Sequence, residues 1–277
     1  MSIVKEIPKF PNDKATKQIL EEKSLANLLI NYMNWMSRYV PPRPRIVQIE
    51  PTATVDSRWR TLRPAIYALL VKVRAGEDLI PHLSLQIHNQ GFTPAASAKG
   101  PNVDTWADKD FLLNVMGFHH FHLGESTMDA GHVERTDEVV FAEVTRDKFN
   151  LIAIFDHSVF EKTNEVTKTM TAERDRLWDI FNKRSSRGMP PGAVYVPAAI
   201  MTSGHAEHHV RMADYYAKIV RETDPLLEDR SFVNRLYTDA GLSVPARPKL
   251  KWHFHFLDLC LFDEAQKVYF VLHKGSK

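Results

Sequence analysis

Gly117-Phe118-His119-His120-Phe121-His122-Leu123-Gly124, then Arg135-Thr136-Asp137-Glu138-Val139-Val140-Phe141-Ala142, then Leu151-Ile152-Ala153-Ile154-Phe155-Asp156-His157 decide how this chain is read. Short runs rich in β-branched and aromatic residues predict strands over 117–123, 138–145 and 149–155. Arg146-Asp147-Lys148 joins the last two as a hairpin. Side chains alternate across a strand, so His120 and His122 share one face while His119, Phe121 and Leu123 share the other. Neighbouring imidazoles are costly to bury unless they move protons, bind a metal or touch phosphate. A second such strand, Trp252-His253-Phe254-His255-Phe256, lies near the C-terminus.

Outward from this centre, residues 1–13 read as a flexible arm, and apolar spacing from Asp13 to Met36 predicts one amphipathic helix stopped by Pro41-Pro42-Arg43-Pro44. Arg45 to Glu50 suits a short strand, and Ser57 to Ala75 a helix ended by Gly76. Residues 89–110 read as loop. A further helix is expected from Ser158 or Asn164 to Arg184, then a Gly- and Pro-bearing linker over 185–192. Residues 193–201 look like a buried strand, 205–222 and 229–240 like helices, and 250–262 and 266–273 like strands. Three parts follow: the arm, a segment 14–184 of N-terminal helices plus α+β core, and a segment 193–277 of helix and β-hairpin that belongs to the same domain or stands apart.

The chain has 277 residues, 44% hydrophobic and 25% charged, which is an ordinary globular composition able to bury a core. A formal charge of +2 does not by itself announce nucleic-acid binding. The arginines and lysines between Arg38 and Arg74 read as a solvated basic face. With no apolar span for a membrane and no N-terminal leader pattern, the expected location is cytoplasmic. The single cysteine, Cys260, suits a small buried hydrophobe.

Three constellations carry chemistry. The first is His119, His120 and His122 with Arg135. Cutting RNA by attack of its own ribose hydroxyl needs a base, an acid and a cation for the phosphorane-like transition state. Histidines can supply the first two and Arg135 a forked, permanent charge, with Asp137 orienting a ring and His157 entering the same cleft. The bland alternative makes the histidines satisfied core residues and Arg135 a surface ion-pair partner. The second is His205, His208 and His209, spaced for one helix face and so an alternative metal site, with Ser203 and Gly204 offering backbone N–H groups to a phosphate. The third is His253 and His255 with Asp258, opposite an aromatic face. Gly-rich phosphate loops, Cys-x-x-Cys pairs and Gly-x-Ser-x-Gly elbows are absent from the sequence.

The run Leu79 to His157, the Ser203-Gly204-His205 segment and the Trp252-His253 strand resemble a group of bacterial proteins carried by mobile elements or phage-defence loci. The order of strand, Arg-led hairpin and strand ending in Asp156-His157, with Phe160 beyond, is similar to the core of RelE-like ribonuclease toxins. That resemblance implies a RelE-like central sheet, with Arg135 at the hairpin-arginine position and His157 at the C-terminal basic position. This chain is far longer than such toxins and richer in imidazole.

The expectation is therefore an α+β protein with a twisted antiparallel mixed sheet flanked by helices. Its expected activity is metal-independent endoribonuclease, as a toxin or defence effector, with His119, His120, His122, Arg135 and His157 catalytic. Asp137, Ser203, His205, His253 and His255 contact substrate. No cofactor is called for, RNA is the substrate, and an antitoxin or other protein is the partner. The competing readings are a metal-dependent hydrolase using His205, His208 and His209, and a non-catalytic binding protein.

Overall fold

The computed structural model describes residues 3–84, 87, 91–94, 112–124, 131–161, 163–164, 166–167, 169–195, 200–201 and 205–277. It is α+β, and its contacts divide the chain into two compact units. One comprises the described residues of Met1–Ser37, Asn89–Pro94 and Glu207–Ser276; the other those of Arg38–His88 and Ala95–Ala206, with Lys277. Both units are discontinuous in sequence, where the expected division ran along the chain at 184 and 193. The N-terminal helices share a unit with the C-terminal third because their apolar faces pack on it, and chain order carries no trace of that.

The central unit is built on a four-stranded sheet of β1 (Ile46–Ile49), β2 (Phe118–His122), β3 (Glu138–Val144) and β4 (Lys148–Asp156), in the order β1-β4-β3-β2. The expected hairpin is present: β3 pairs antiparallel with β4, and the Thr145 N–H donates to the Lys148 carbonyl at 2.9 Å. The sheet is not purely antiparallel, since β1 pairs parallel with β4 from Ile46 opposite Lys148 to Ile49 opposite Leu151. Phe149 and the residues from Leu151 to Phe155 are all 0% exposed, as both faces of a central strand are covered. On one face Phe118, Phe141 and Phe155 meet Leu177, Ile180 and Phe181 of the helix Ala172–Ser185. On the other, Phe121 lies 5.2 Å from Phe149, ring centre to ring centre.

Two of the arginines expected on a solvated face are structural instead. Arg58 forks onto Asp56 at 2.9 Å, reaches Glu173 at 3.2 Å and donates to the Ile154 carbonyl at 3.0 Å. It thereby ties the start of the helix Trp59–Ala75 to β4 and to the helix Ala172–Ser185. Arg45 is buried and donates to the carbonyls of Thr145, Pro41 and Arg43. The helix Trp59–Ala75 ends where the sequence says, at Gly76 with φ of 76°, a conformation costly for any residue with a Cβ.

Several local expectations give way. The span 13–36 forms two helices, Lys14–Glu21 and Leu25–Met36, because the Ser24 side chain accepts from the Asn27 N–H and starts a new helix. The arm is tied down: Ile3 and Ile7 are buried, and the Pro8 carbonyl accepts from the Gly91 and Phe92 N–H groups. Between Ser158 and Arg184 the helix proper begins only at Ala172, after a 3₁₀ turn at His157–Phe160. Residues 193–195 are exposed and not strand, and Ile200 makes a single bridge to Ala206. Residues 196–199, and most of the loop expected over 89–110, lie outside the described residues.

The other unit carries a three-stranded antiparallel sheet of β5 (Leu250–His255), β6 (Asp258–Asp263) and β7 (Val268–His273). The strand expected over 250–262 is thus a hairpin, turned at Phe256 with φ of 53°. Two buried tyrosines satisfy this turn: Tyr32 donates to the Phe256 carbonyl and Tyr216 to the Leu257 carbonyl, each at 2.9 Å. One face of the sheet packs Leu261 and Phe270 against Val233 and Tyr237 of the helix Arg230–Asp239.

Gly124, where β2 runs out, leaves no room for a side chain: a Cβ there would drive into the Glu134 backbone. Gly124→Ala is expected to cost about 2–3 kcal/mol of unfolding free energy, because the obstacle is main chain and cannot swing aside. Urea unfolding followed by circular dichroism measures it; a loss under about 0.5 kcal/mol would refute the packing account.

Candidate functional site

Strand alternation distributes the three histidines of β2 as the sequence implies. His120 lies opposite Phe141 and His122 opposite Val139, on the face that packs against the helix Ala172–Ser185. The 3₁₀ turn after β4 brings His157 to the same place. His120 and His122 are 6.0 Å apart between ring centres, and His122 and His157 are stacked at 5.6 Å. Phe160 touches two of these rings, 4.9 Å from His120 and 6.0 Å from His157. The result is an imidazole row walled by an aromatic ring.

The row is graded in exposure. His122 is 2% exposed, while His120 and His157 are half-buried. Solvent therefore reaches part of His120 and part of His157, with His122 behind them, although the Nε2 atom of His120 is itself buried. The expectation made His120 and His122 the acid and base; β2 lies along the sheet rim, yet His122 is sealed in.

His157 has a defined tautomer. Its Nδ1 lies 2.8 Å from the Asp137 carbonyl, which can only accept, so Nδ1 carries the proton and Nε2 keeps the lone pair of the neutral ring. Asp137 does orient a histidine, through its main chain and not its side-chain carboxylate. Asp156, the residue before His157, accepts from both the hydroxyl and the N–H of Ser158. The Ser158 hydroxyl, its N–H, Arg58 and His157 together hold that carboxyl below the usual range against the opposing effect of burial.

Arg135 is exposed, in the segment that flanks the end of β2. Thr136 Oγ1 accepts from the Leu123 N–H at 3.3 Å and donates to the Glu138 carbonyl at 2.5 Å, fixing the backbone beside Arg135. His119 stands apart from this group on the opposite face, stacked near Phe121 at 6.2 Å, with Lys277 Nζ 3.0 Å from its Nε2. It is not an auxiliary of the imidazole row; the two-residue period of a strand sends it away. Burial together with Arg45 pulls the Lys277 ammonium down to about 7.

The remaining candidates do not join. Ser203 lies outside the described residues. The helix expected from His205 starts at Glu207, so His205 precedes it and shares no helical face with His208 and His209. His208 and His209 have ring centres 4.0 Å apart, but among the described residues no three His, Cys, Asp or Glu side chains are placed to hold a metal ion. His253 and His255 belong to the other unit, on one face of β5.

One residue escaped the site reading. His82, in a 3₁₀ turn, donates from Nδ1 to the His122 carbonyl at 2.8 Å, and its Nε2 accepts from Lys72 Nζ at 3.0 Å. A carbonyl only accepts and an ammonium only donates, so this geometry holds His82 neutral. Nothing local in Ile80-Pro81-His82 signals a support for β2, which arises from residues forty positions apart. No protein-family model, curated protein or solved structure matches the chain.

Burial, and then the Lys72 charge, push the His82 imidazole below its ordinary range. The unfolded chain therefore binds this proton more readily. His82 leaves stability intact above about pH 6.5 and lowers it as pH falls through that value. His82→Asn keeps a donor for the His122 carbonyl and is expected to flatten the wild-type decline in unfolding free energy between about pH 6.5 and 5. Equal pH slopes in the two proteins would refute this.

Proposed function

We propose that the unit built on β1–β4 is a metal-independent endoribonuclease. The observation that carries the reading is the His120–His122–His157 row, with the Nε2 lone pair of His157 set by the Nδ1 bond to the Asp137 carbonyl and with His120 and His157 half-buried. In this reading His157 Nε2 takes the proton of the ribose 2′-hydroxyl as its oxygen attacks phosphorus. His120 protonates the departing 5′-oxygen as the P–O5′ bond breaks. The products are a 2′,3′-cyclic phosphate and a 5′-hydroxyl, and no water is consumed in the step. Arg135 neutralises the phosphate oxygens, and His122 positions both outer rings.

The biological setting is a toxin or phage-defence effector with a RelE-like sheet, acting in the cytoplasm and restrained by a partner protein. This setting rests on the RelE-like reading of the sequence, to which the place of His157 directly after β4 corresponds. Among the described residues no helix is long and apolar enough to cross a membrane.

Purified protein incubated with a fluorescent RNA in the presence of EDTA provides the test. His157→Ala and His120→Ala are each expected to slow cleavage by about 100-fold or more, and Arg135→Ala by a similar factor, with melting unchanged. Products ending in 2′,3′-cyclic phosphate support the chemistry. Wild-type rates in His157→Ala and Arg135→Ala, or absence of cleavage by the wild type on any RNA, would refute the proposal.

A further inference from the structure

In the other unit, one face of the β5–β6–β7 sheet packs on the helix Arg230–Asp239, and the opposite face carries a different set of side chains. Cross-strand register places Lys251 opposite Phe262, and Phe262 opposite Tyr269, so these residues share that second face with His253 and His255. Phe262 and Tyr269 stack at 4.6 Å with 28° between their planes. His253 lies 5.2 Å from Tyr269 at 38° and 5.8 Å from Phe262 at 46°, and His255 lies 6.0 Å from Tyr269 at 42°. Four rings thus tile one surface at modest tilts. Tyr269 is 48% exposed and Val271, two residues on along the same strand, 46%, so the face offers ring and apolar surface to a ligand.

The charge around the rings is largely of one sign. Lys267 Nζ sits 5.7 Å from the Phe262 ring centre, and Lys249, just before β5, and Lys251, within it, are exposed. Glu264 offsets part of this, paired with Lys251 at 2.6 Å. Asp263 is turned inward and bonded by Tyr237, and Asp258 is buried and accepts from the Gly275 N–H. Burial and the neighbouring His255 hold the His253 imidazole below its ordinary range, which favours a neutral stacking ring.

We propose that this face binds single-stranded RNA, with unpaired bases stacking on Tyr269, His253, His255 and Phe262 and the backbone phosphates meeting Lys249, Lys251 and Lys267. Flat rings accept any base, lysines match the phosphate charge, and unstacked bases are the common target of such sheet faces. The proposal rests on ring geometry in this unit alone. It stands or falls independently of cleavage by the His120–His122–His157 row.

Fluorescence anisotropy with a labelled oligouridylate of about 12 nucleotides tests it, using full-length protein. The probe carries 2′-O-methyl riboses, which its own hydroxyl cannot cut, so binding is read apart from catalysis. Tyr269→Ala is expected to weaken binding by about tenfold and Tyr269→Phe to restore it. Lys267→Glu is expected to weaken it at low salt and to reduce the slope of log Kd against log salt by about 0.7 for each phosphate no longer neutralised. Val55→Ser, at an exposed position of the central unit, serves as the control and is expected to bind as wild type. Equal affinity in wild type, Tyr269→Ala and Lys267→Glu would overturn the proposal. So would tighter binding of a deoxyuridine oligomer of the same length, which would assign the face to single-stranded DNA. Unaffected anisotropy in Tyr269→Ala together with a smaller sedimentation mass than wild type would also overturn it, assigning the face to a second copy of the chain.

Discussion

The covering of β4 on both faces is the constraint around which the central unit is arranged. Its residues from Leu151 to Phe155 lose all their accessible surface, and each large side chain so removed from water stabilises the fold by about 1.5–3 kcal/mol. A strand this apolar must have neighbours on both sides and layers above and below. Here β3 and β1 flank it, the helix Ala172–Ser185 closes one face, and Phe121 and Phe149 fill the other. β2 then falls at the sheet rim, where a polar side chain can find partners or solvent. That is why the histidines gather there and not on β3 or β4.

One five-residue strand gives its imidazoles three different environments. His119 faces the Phe121 side beside Lys277, His122 is sealed behind its neighbours, and His120 stays half-open. The surrounding backbone does much of the positioning: the Asp137 carbonyl holds His157, and the His122 carbonyl holds His82. Main-chain acceptors cannot titrate, so they fix a tautomer more firmly than a carboxylate whose own charge changes with pH. The Arg58 network beside this row, with Asp56, Glu173 and Arg176, fastens the helices that keep the strands in register.

In the other unit, the turn between β5 and β6 places Phe256 in a left-handed conformation, and buried tyrosine hydroxyls from two helices satisfy its carbonyls. Such hydroxyls are worth keeping in an apolar interior only when bonded, so the turn and the helices stabilise one another. The same hairpin sets the register that puts His253, Phe262 and Tyr269 side by side.

The local pattern of the chain was enough for the β3–β4 hairpin, the alternation of His119 against His120 and His122, the helix end at Gly76, and the grouping of His157 with the histidine strand. These follow from period, turn chemistry and glycine freedom, which act over a few residues. Other features were decided only in three dimensions. They include the parallel partner β1, the pairing of N-terminal helices with the C-terminal sheet, the sealing of His122, the support from His82, and the break that leaves His205 before its helix. Each depends on side chains distant in sequence competing for the same buried space. A one-dimensional pattern can say that a residue wants to be buried, but only packing decides beside what.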